Sequence, residues 1–147
     1  MSVTRATTPR LLLVTPEKCI GCRTCEITCA FSHPIKGMPG KTRIRAFPVR
    51  PPEAGIPVVC FQCDSAACVA VCPTQALGRS ADTGAIEVIN ERCIRCKACV
   101  FACPFGNMGQ NDGHPESPDA ALVYKCDLCG GDPQCAKYCP SGALEFT

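Results

Sequence analysis

Apolar residues in this chain come in short bursts rather than long periodic runs. The longest aliphatic run is Leu11 to Val14. Leu144 to Phe146 at the opposite end, Ile86 to Ile89 and the pair Val58–Val59 also read as short strands. Thr42 to Phe47 alternates apolar and polar residues in strand fashion. None of these bursts approaches the ~18–20 apolar residues that a membrane-crossing helix needs. The stretch Met1 to Pro9 contains Arg5 but neither a twin arginine nor an apolar signal core. No direct membrane insertion, no export signal and a cytoplasmic location are therefore expected. Two segments read as loops. Ser32 to Pro57 is Pro/Gly-rich and basic, with Lys36, Lys41, Arg43, Arg45 and Arg50 before its first acid, Glu53. Gly106 to Ala121 is rich in Gly, Asp and Pro. Each is either a solvated surface or a docking surface, and the basic one is the better docking candidate.

The length, 147 residues, suits about one domain. The 46% apolar fraction includes the cysteines, and the chain has no Trp, two Tyr and six Phe. That is a thin supply for a conventional core, because aromatic side chains dominate core burial. The sixteen cysteines are about 11% of the chain, above the ~8–10% that marks a cysteine-organised scaffold. Something held by the cysteines is expected to fill the interior. A net charge of +2 argues against long disorder and against a nucleic-acid partner.

The cysteines fall into four groups of four. Group one is Cys19, Cys22, Cys25 and Cys29; group three is Cys93, Cys96, Cys99 and Cys103; both are spaced C-x2-C-x2-C-x3-C. Group two is Cys60, Cys63, Cys68 and Cys72, and group four is Cys126, Cys129, Cys135 and Cys139, with x4 and x5 in the middle gap. Pro73, Pro104 and Pro140 follow the last cysteine of groups two, three and four, where group one has Ala30. Short helices are expected to begin between the third and fourth cysteines, and the proline to end or redirect each turn.

The x2, x2, x3 spacing followed by proline is the run that holds [4Fe–4S] clusters in bacterial ferredoxins. Three close thiolates reach one cubane, and the fourth cysteine ligates the other cluster of a pair. Disulfides fit poorly with so regular a grouping in a reducing compartment. Structural zinc needs only two separated Cys-x2-Cys pairs per site, leaving a remote zinc-scaffold alternative. No group contains the Cys-x3-Cys-x2-Cys of catalytic radical clusters. The chain also repeats: CIGCRTCEITCAF (Cys19 to Phe31) and CIRCKACVFACPF (Cys93 to Phe105) share six of thirteen positions at an offset of 74. CPTQAL (Cys72 to Leu77) and CPSGAL (Cys139 to Leu144) match as well, giving two similar halves. The expected fold class is α+β, with short strands and short helices around cysteine loops.

These motifs, over about Val14 to Phe146, resemble the four-cluster ferredoxin subunits of multi-subunit oxidoreductases. That family includes electron-transfer subunits of dimethyl-sulfoxide-reductase-type molybdenum enzymes, of hydrogenase-linked systems and of tungsten aldehyde oxidoreductases. CAFSHPIKGMPGKTRIRAF (Cys29 to Phe47) is similar to the small subunits of the tungsten enzymes. The resemblance implies four [4Fe–4S] clusters in two interleaved bacterial-ferredoxin-like modules within a single domain spanning 1–147. The outer module would be 11–31 plus 122–147 and the inner one 58–105, with loops 32–57 and 106–121. It implies the ligand sets Cys19, Cys22, Cys25, Cys139; Cys126, Cys129, Cys135, Cys29; Cys60, Cys63, Cys68, Cys103; and Cys93, Cys96, Cys99, Cys72. It also implies a molybdenum- or tungsten-pterin catalytic partner and a flavin subunit or ferredoxin as acceptor, with self-association possible. A hydrogenase or formate dehydrogenase partner, or a free soluble polyferredoxin, are the alternatives.

No phosphate-binding GxGxxG or P-loop appears, and no nucleophile–base pair stands out. The chain alone is expected to transfer electrons and catalyse nothing. Gly130–Gly131 would let the longer loop of group four turn. His33 and His114 are expected at the surface. Lys18, Arg92 and Lys125, each just before the first cysteine of its group, read either as exposed residues or as offsets to cluster charge. Arg92, Arg95 and Lys97 make group three the most basic, whereas group two carries Asp64 and no Lys or Arg between Val58 and Cys72. The cluster on Cys93, Cys96, Cys99 and Cys72 is therefore expected at higher potential than that on Cys60, Cys63, Cys68 and Cys103.

Overall fold

The computed structural model describes residues 11–35, 37–50, 54–110 and 123–147. His114, Lys36, Glu53 and most of the 106–121 segment lie outside the described residues.

Among the described residues twelve short strands and α-helices succeed one another: β1 (Leu12–Val14), α1 (Thr24–Ser32), β2 (Arg45–Arg50), β3 (Ala54–Val58), α2 (Ala67–Ala70), β4 (Leu77–Arg79), β5 (Ile86–Val88), α3 (Ala98–Ala102), β6 (Gly109–Gln110), β7 (Val123–Tyr124), α4 (Gln134–Lys137) and β8 (Leu144–Phe146). The strands form antiparallel two-stranded sheets, β1–β8, β2–β3, β4–β5 and β6–β7. Both ends of the described chain meet in the first sheet, where Leu12 pairs with Phe146 and Val14 with Leu144. The result is a small mixed α/β fold, with strand pieces at Leu12–Val14, Ile86–Val88 and Leu144–Phe146 as the apolar bursts predict.

Each helix starts at or just before the third cysteine of a group, and the residue after the fourth sets its length. A residue before proline is steered away from the helical region. Cys103, before Pro104, is extended (φ −73°, ψ 112°) and closes α3 after five residues. Helices α2 and α4 stop after four residues, short of Cys72 and Cys139. Group one has Ala30 at the matching position, and α1 runs for nine residues through Cys29 to Ser32.

The segment 32–57 is more than a loop. It contains the β2–β3 hairpin, with Ala46 opposite Pro57 and Phe47 opposite Ile56. Its composition hid it: prolines are excluded from central strands, but a two-stranded sheet is all edge and admits Pro48 and Pro57. Ile44 and Ala46 turn inward at 4% and 5% exposure while Phe47 and Val49 face out, the alternation seen in Thr42 to Phe47.

Two apolar cores follow. One joins Cys25, Cys29, Ile44, Ala46, Val59, Cys135 and Leu144, with Leu12, Val14, Ala136 and Cys139 against it. Helices α1 and α4 pack together there. The other joins Leu77, Ile86, Cys99, Met108 and Val123, with Cys68, Cys72, Cys93 and Cys103 among its partly buried neighbours. Helices α2 and α3 pack together there.

Candidate metal centres

All sixteen cysteines are free thiols. The loops that carry them bend through left-handed residues. In group one these are Gly21 (φ 69°) and Arg23 (φ 60°); in group three they are Arg95 (φ 66°) and Lys97 (φ 60°). These sharp turns let side chains two or three residues apart converge. Gly55 of β3 lies against the group-one loop, where an added Cβ would stand 3.2 Å from Gly21 Cα and 3.4 Å from Cys19 Sγ.

Cys72, Cys93, Cys96 and Cys99 line one cleft, enclosed by Leu77, Val88 and Val123. Cys60, Cys63, Cys68 and Cys103 line a second, with Ala66, Met108 and the edge-to-face rings of Phe61 and Phe105, 4.6 Å apart. Cys135 is buried near Cys126, Cys29 and Cys129, and burial followed by these neighbours' charges pushes its thiol far up. Burial raises Cys25 to about 11, helped by the charges of Glu26, Cys22 and Cys19 and opposed by the Glu26 N–H. Cys139 packs against the same core as Cys25.

The fourth cysteine of each group has a different environment. The N–H of Ala76 donates to Cys72 Sγ (3.2 Å), that of Asn107 to Cys103 Sγ (3.4 Å) and that of Arg43 to Cys29 Sγ (3.2 Å). Burial is the largest single influence on Cys29, Cys72 and Cys139 and raises each thiol. Hydrogen bonds outweigh it, so all three stand below the ordinary value: His33 and the Arg43 N–H at Cys29, the Ala76 N–H and Thr74 at Cys72, and Ser141 with the N–H groups of Leu144 and Ala143 at Cys139. The thiolate is the form that ligates metal. Convergent thiols with N–H donors on sulfur fit an iron–sulfur cluster, and metal binding supplies the interaction that offsets packing several thiolates together.

Two side chains, His33 and Arg43, depart from the sequence reading, and a third, Lys125, loses the exposed one of its two alternatives. His33 is not a surface residue: its side chain is 13% exposed, with Nε2 3.0 Å from Asp127 Oδ1 and Nδ1 2.8 Å from Cys29 O. Its pKa is pushed up to about 12 by hydrogen bonding to Asp127, then Cys129 and Cys29, against burial. Burial raises the Asp127 carboxyl, but His33, Arg43 and the Cys129 N–H hold it well below the carboxylate range. Arg43 turns inward, its Nη1 2.6 Å from Asp127 Oδ2, and so leaves the basic surface expected of its segment. Lys125 is buried at 3% exposure, unlike Lys18 and Arg92, which are exposed. Its Nζ donates to Ile86 O (2.6 Å), Cys126 O (2.7 Å) and Gln62 Oε1 (3.1 Å). Gln62 and Asp127 were missed from sequence. Asp127 carried one usable signal, its place two residues before Cys129, whose N–H it accepts at 2.9 Å.

Such a constellation defines a class, the iron–sulfur proteins that pass single electrons. The chain belongs to the 4Fe–4S dicluster domain family, which matches residues 54–147; residues 16–32 match a 4Fe–4S binding domain. It is similar to the polyferredoxin-like subunit of the aliphatic sulfonate oxidoreductase of Pyrococcus furiosus, 43% identical over 87% of this chain and 70% of that one. It is 37% identical to the electron transport protein HydN of Escherichia coli K12, covering 92% of this chain and 86% of that one. It is 31% identical to formate hydrogenlyase subunit 2 of the same organism, over 93% and 81%. The chain is an electron-transfer iron–sulfur subunit of the oxidoreductase type, holds [4Fe–4S] clusters and is not itself a catalyst. Among the described residues no helix is long and apolar enough to cross a membrane.

Proposed function

We propose that the chain is a four-cluster relay that takes electrons from a substrate-oxidising subunit and hands them to a flavin subunit or a ferredoxin in the cytoplasm. The observation that carries this reading is the meeting of cysteines from different groups in two clefts, Cys72 with Cys93, Cys96 and Cys99, and Cys103 with Cys60, Cys63 and Cys68. The proposed sets are Cys19, Cys22, Cys25, Cys139; Cys29, Cys126, Cys129, Cys135; Cys60, Cys63, Cys68, Cys103; and Cys72, Cys93, Cys96, Cys99. In this reading the modules interleave, groups one and four sharing one core and groups two and three the other. The shared clefts and the two cores support the assignment. A bound cluster supplies one-electron transfer. The chain holds it, excludes water with Leu77, Val88 and Met108, and offers N–H donors to sulfur, which tune potential.

The favoured partner is a tungsten-pterin subunit that oxidises aldehydes, from the resemblance in Cys29 to Phe47. A molybdenum or hydrogenase partner is the second reading, favoured by the likeness to formate hydrogenlyase subunit 2. Anaerobically purified protein should hold about sixteen iron atoms and as much labile sulfide, and bleach with dithionite. Zinc without sulfide overturns the relay. Capture of the native complex followed by metal analysis separates the partners: tungsten supports the first, molybdenum or nickel the second.

A further inference from the structure

Resting on the four-cluster reading, we propose that Lys125, held by Gln62, is a fixed buried cation between two cluster sites. It makes the sets Cys60, Cys63, Cys68, Cys103 and Cys29, Cys126, Cys129, Cys135 the high-potential pair of the relay.

Lys125 and Gln62 are the buried polar side chains among the described residues, at 3% and 4% exposure. The three contacts of Nζ are all oxygen acceptors. An ammonium has three donors and satisfies all of them; a neutral amine has a lone pair that would face an oxygen. The Gln62 amide is fixed by its neighbours, since Ile86 N–H donates to Oε1 (2.9 Å) and Nε2 donates to Cys126 O (2.9 Å). Gln62 lies between Cys60 and Cys63, so this network ties the group-two loop to the group-four loop.

Among the described residues no carboxylate comes within ion-pair distance of Nζ. Asp127, two residues on, is already engaged by Arg43 at 2.6 Å and His33 at 3.0 Å. Lys125 lines the cleft of Cys60, Cys63, Cys68 and Cys103 and directly precedes Cys126.

Reduction adds one electron to a site, with no bond broken and no proton required, so a nearby fixed cation favours the reduced state. A buried charge is screened far less than an exposed one. Arg95 and Lys97, whose charges suggested that the Cys93 site has the higher potential, are exposed. Lys125 therefore reverses that ranking. Lys18 and Arg92 hold the same place before their groups but are exposed, which makes them internal controls.

The test is a redox titration followed by electron paramagnetic resonance on the cluster-loaded protein, with signals assigned through Cys63→Ser and Cys129→Ser. Lys125→Met should lower the reduction equilibrium constant at least tenfold, about 59 mV for one electron, at the two flanking sites. Lys18→Met and Arg92→Met should shift every site less than threefold. Gln62→Glu sets a carboxylate against Nζ and should lower the same two midpoints. Midpoints that stay in place with full iron content, or that move at the other two sites, overturn the proposal. If Lys125→Met does not load iron, Gln62→Glu decides alone; if neither loads, Lys125 is a structural clamp and the electronic role is overturned. Fewer than four clusters in the unmodified protein would instead overturn the four-cluster reading.

Discussion

The two copies of the thirteen-residue repeat begin alike and end differently. In both, the second cysteine is exposed (Cys22, Cys96) and the third is buried (Cys25, Cys99) at the start of a helix. They part at one position. Pro104 stops α3 at Ala102 and lets the nearby Asn107 N–H reach Cys103 Sγ. Ala30 lets α1 continue, carries His33 to its end, and leaves Cys29 Sγ to accept from Arg43, fourteen residues away. One copy thus completes the environment of its closing cysteine locally. The other recruits the segment after α1, pinned by His33 and Arg43 to Asp127 of group four. A single alanine-for-proline difference decides whether a sulfur's environment is built by its own loop or by the tertiary fold.

The most severe disruption removes what both copies share. Stripping iron with acid and a chelator should abolish most far-UV circular dichroism, because cysteines line both cores. A chain that keeps its helicity would show that the aliphatic residues suffice. Ala30→Pro imposes the second copy's ending on the first. It removes a helical hydrogen bond inside α1 and should cost about 3 kcal/mol or more. The readout is the guanidinium midpoint for loss of the visible iron–sulfur absorption. Pro104→Ala, the reverse exchange, should shift that midpoint much less, since α3 gains a turn and loses no core contact.

Asp127→Asn keeps the shape but withdraws the charge from Arg43 and His33. It should cost about 1–3 kcal/mol by the same readout. It should also alter the electron paramagnetic resonance of the set containing Cys29 and Cys129 more than that of the Cys93 set. The smallest effect concerns the left-handed turn. Gly21 (φ 69°) and Arg95 (φ 66°) are repeat equivalents, and only glycine adopts this backbone without strain. Arg95→Gly should stabilise by about 0.5–1 kcal/mol and Gly21→Arg should destabilise by about the same, measured as opposite midpoint shifts.

What the sequence revealed and what it hid divide along the same line. The cysteine groups, the helix starts and the proline stops are local, set by residues within four or five of one another, and all were readable. The inward turns of His33 and Lys125 were not. Their partners are Asp127, 94 residues away, and Gln62, 63 residues away, and no local pattern announces such a meeting. The β2–β3 hairpin was obscured for a different reason: Pro48 and Pro57 mark a loop in most settings and are admitted here because neither strand has a second neighbour.

The pairing of β1 with β8 sets an order of events at the ribosome. Synthesis proceeds from the N-terminus at about 5–20 residues per second. Helices α2 and α3, with β4 and β5, can close on one another well before α4 and β8 have been made. The core around Cys25 and Cys29 has no such early option, because Cys135 and Leu144 emerge long after them. Cys25 and Cys29 are therefore made before the thiols of groups two and three and sheltered after them. They face oxidation and stray metals until Cys135 and Leu144 have been made, and the exposure ends when β8 docks beside β1.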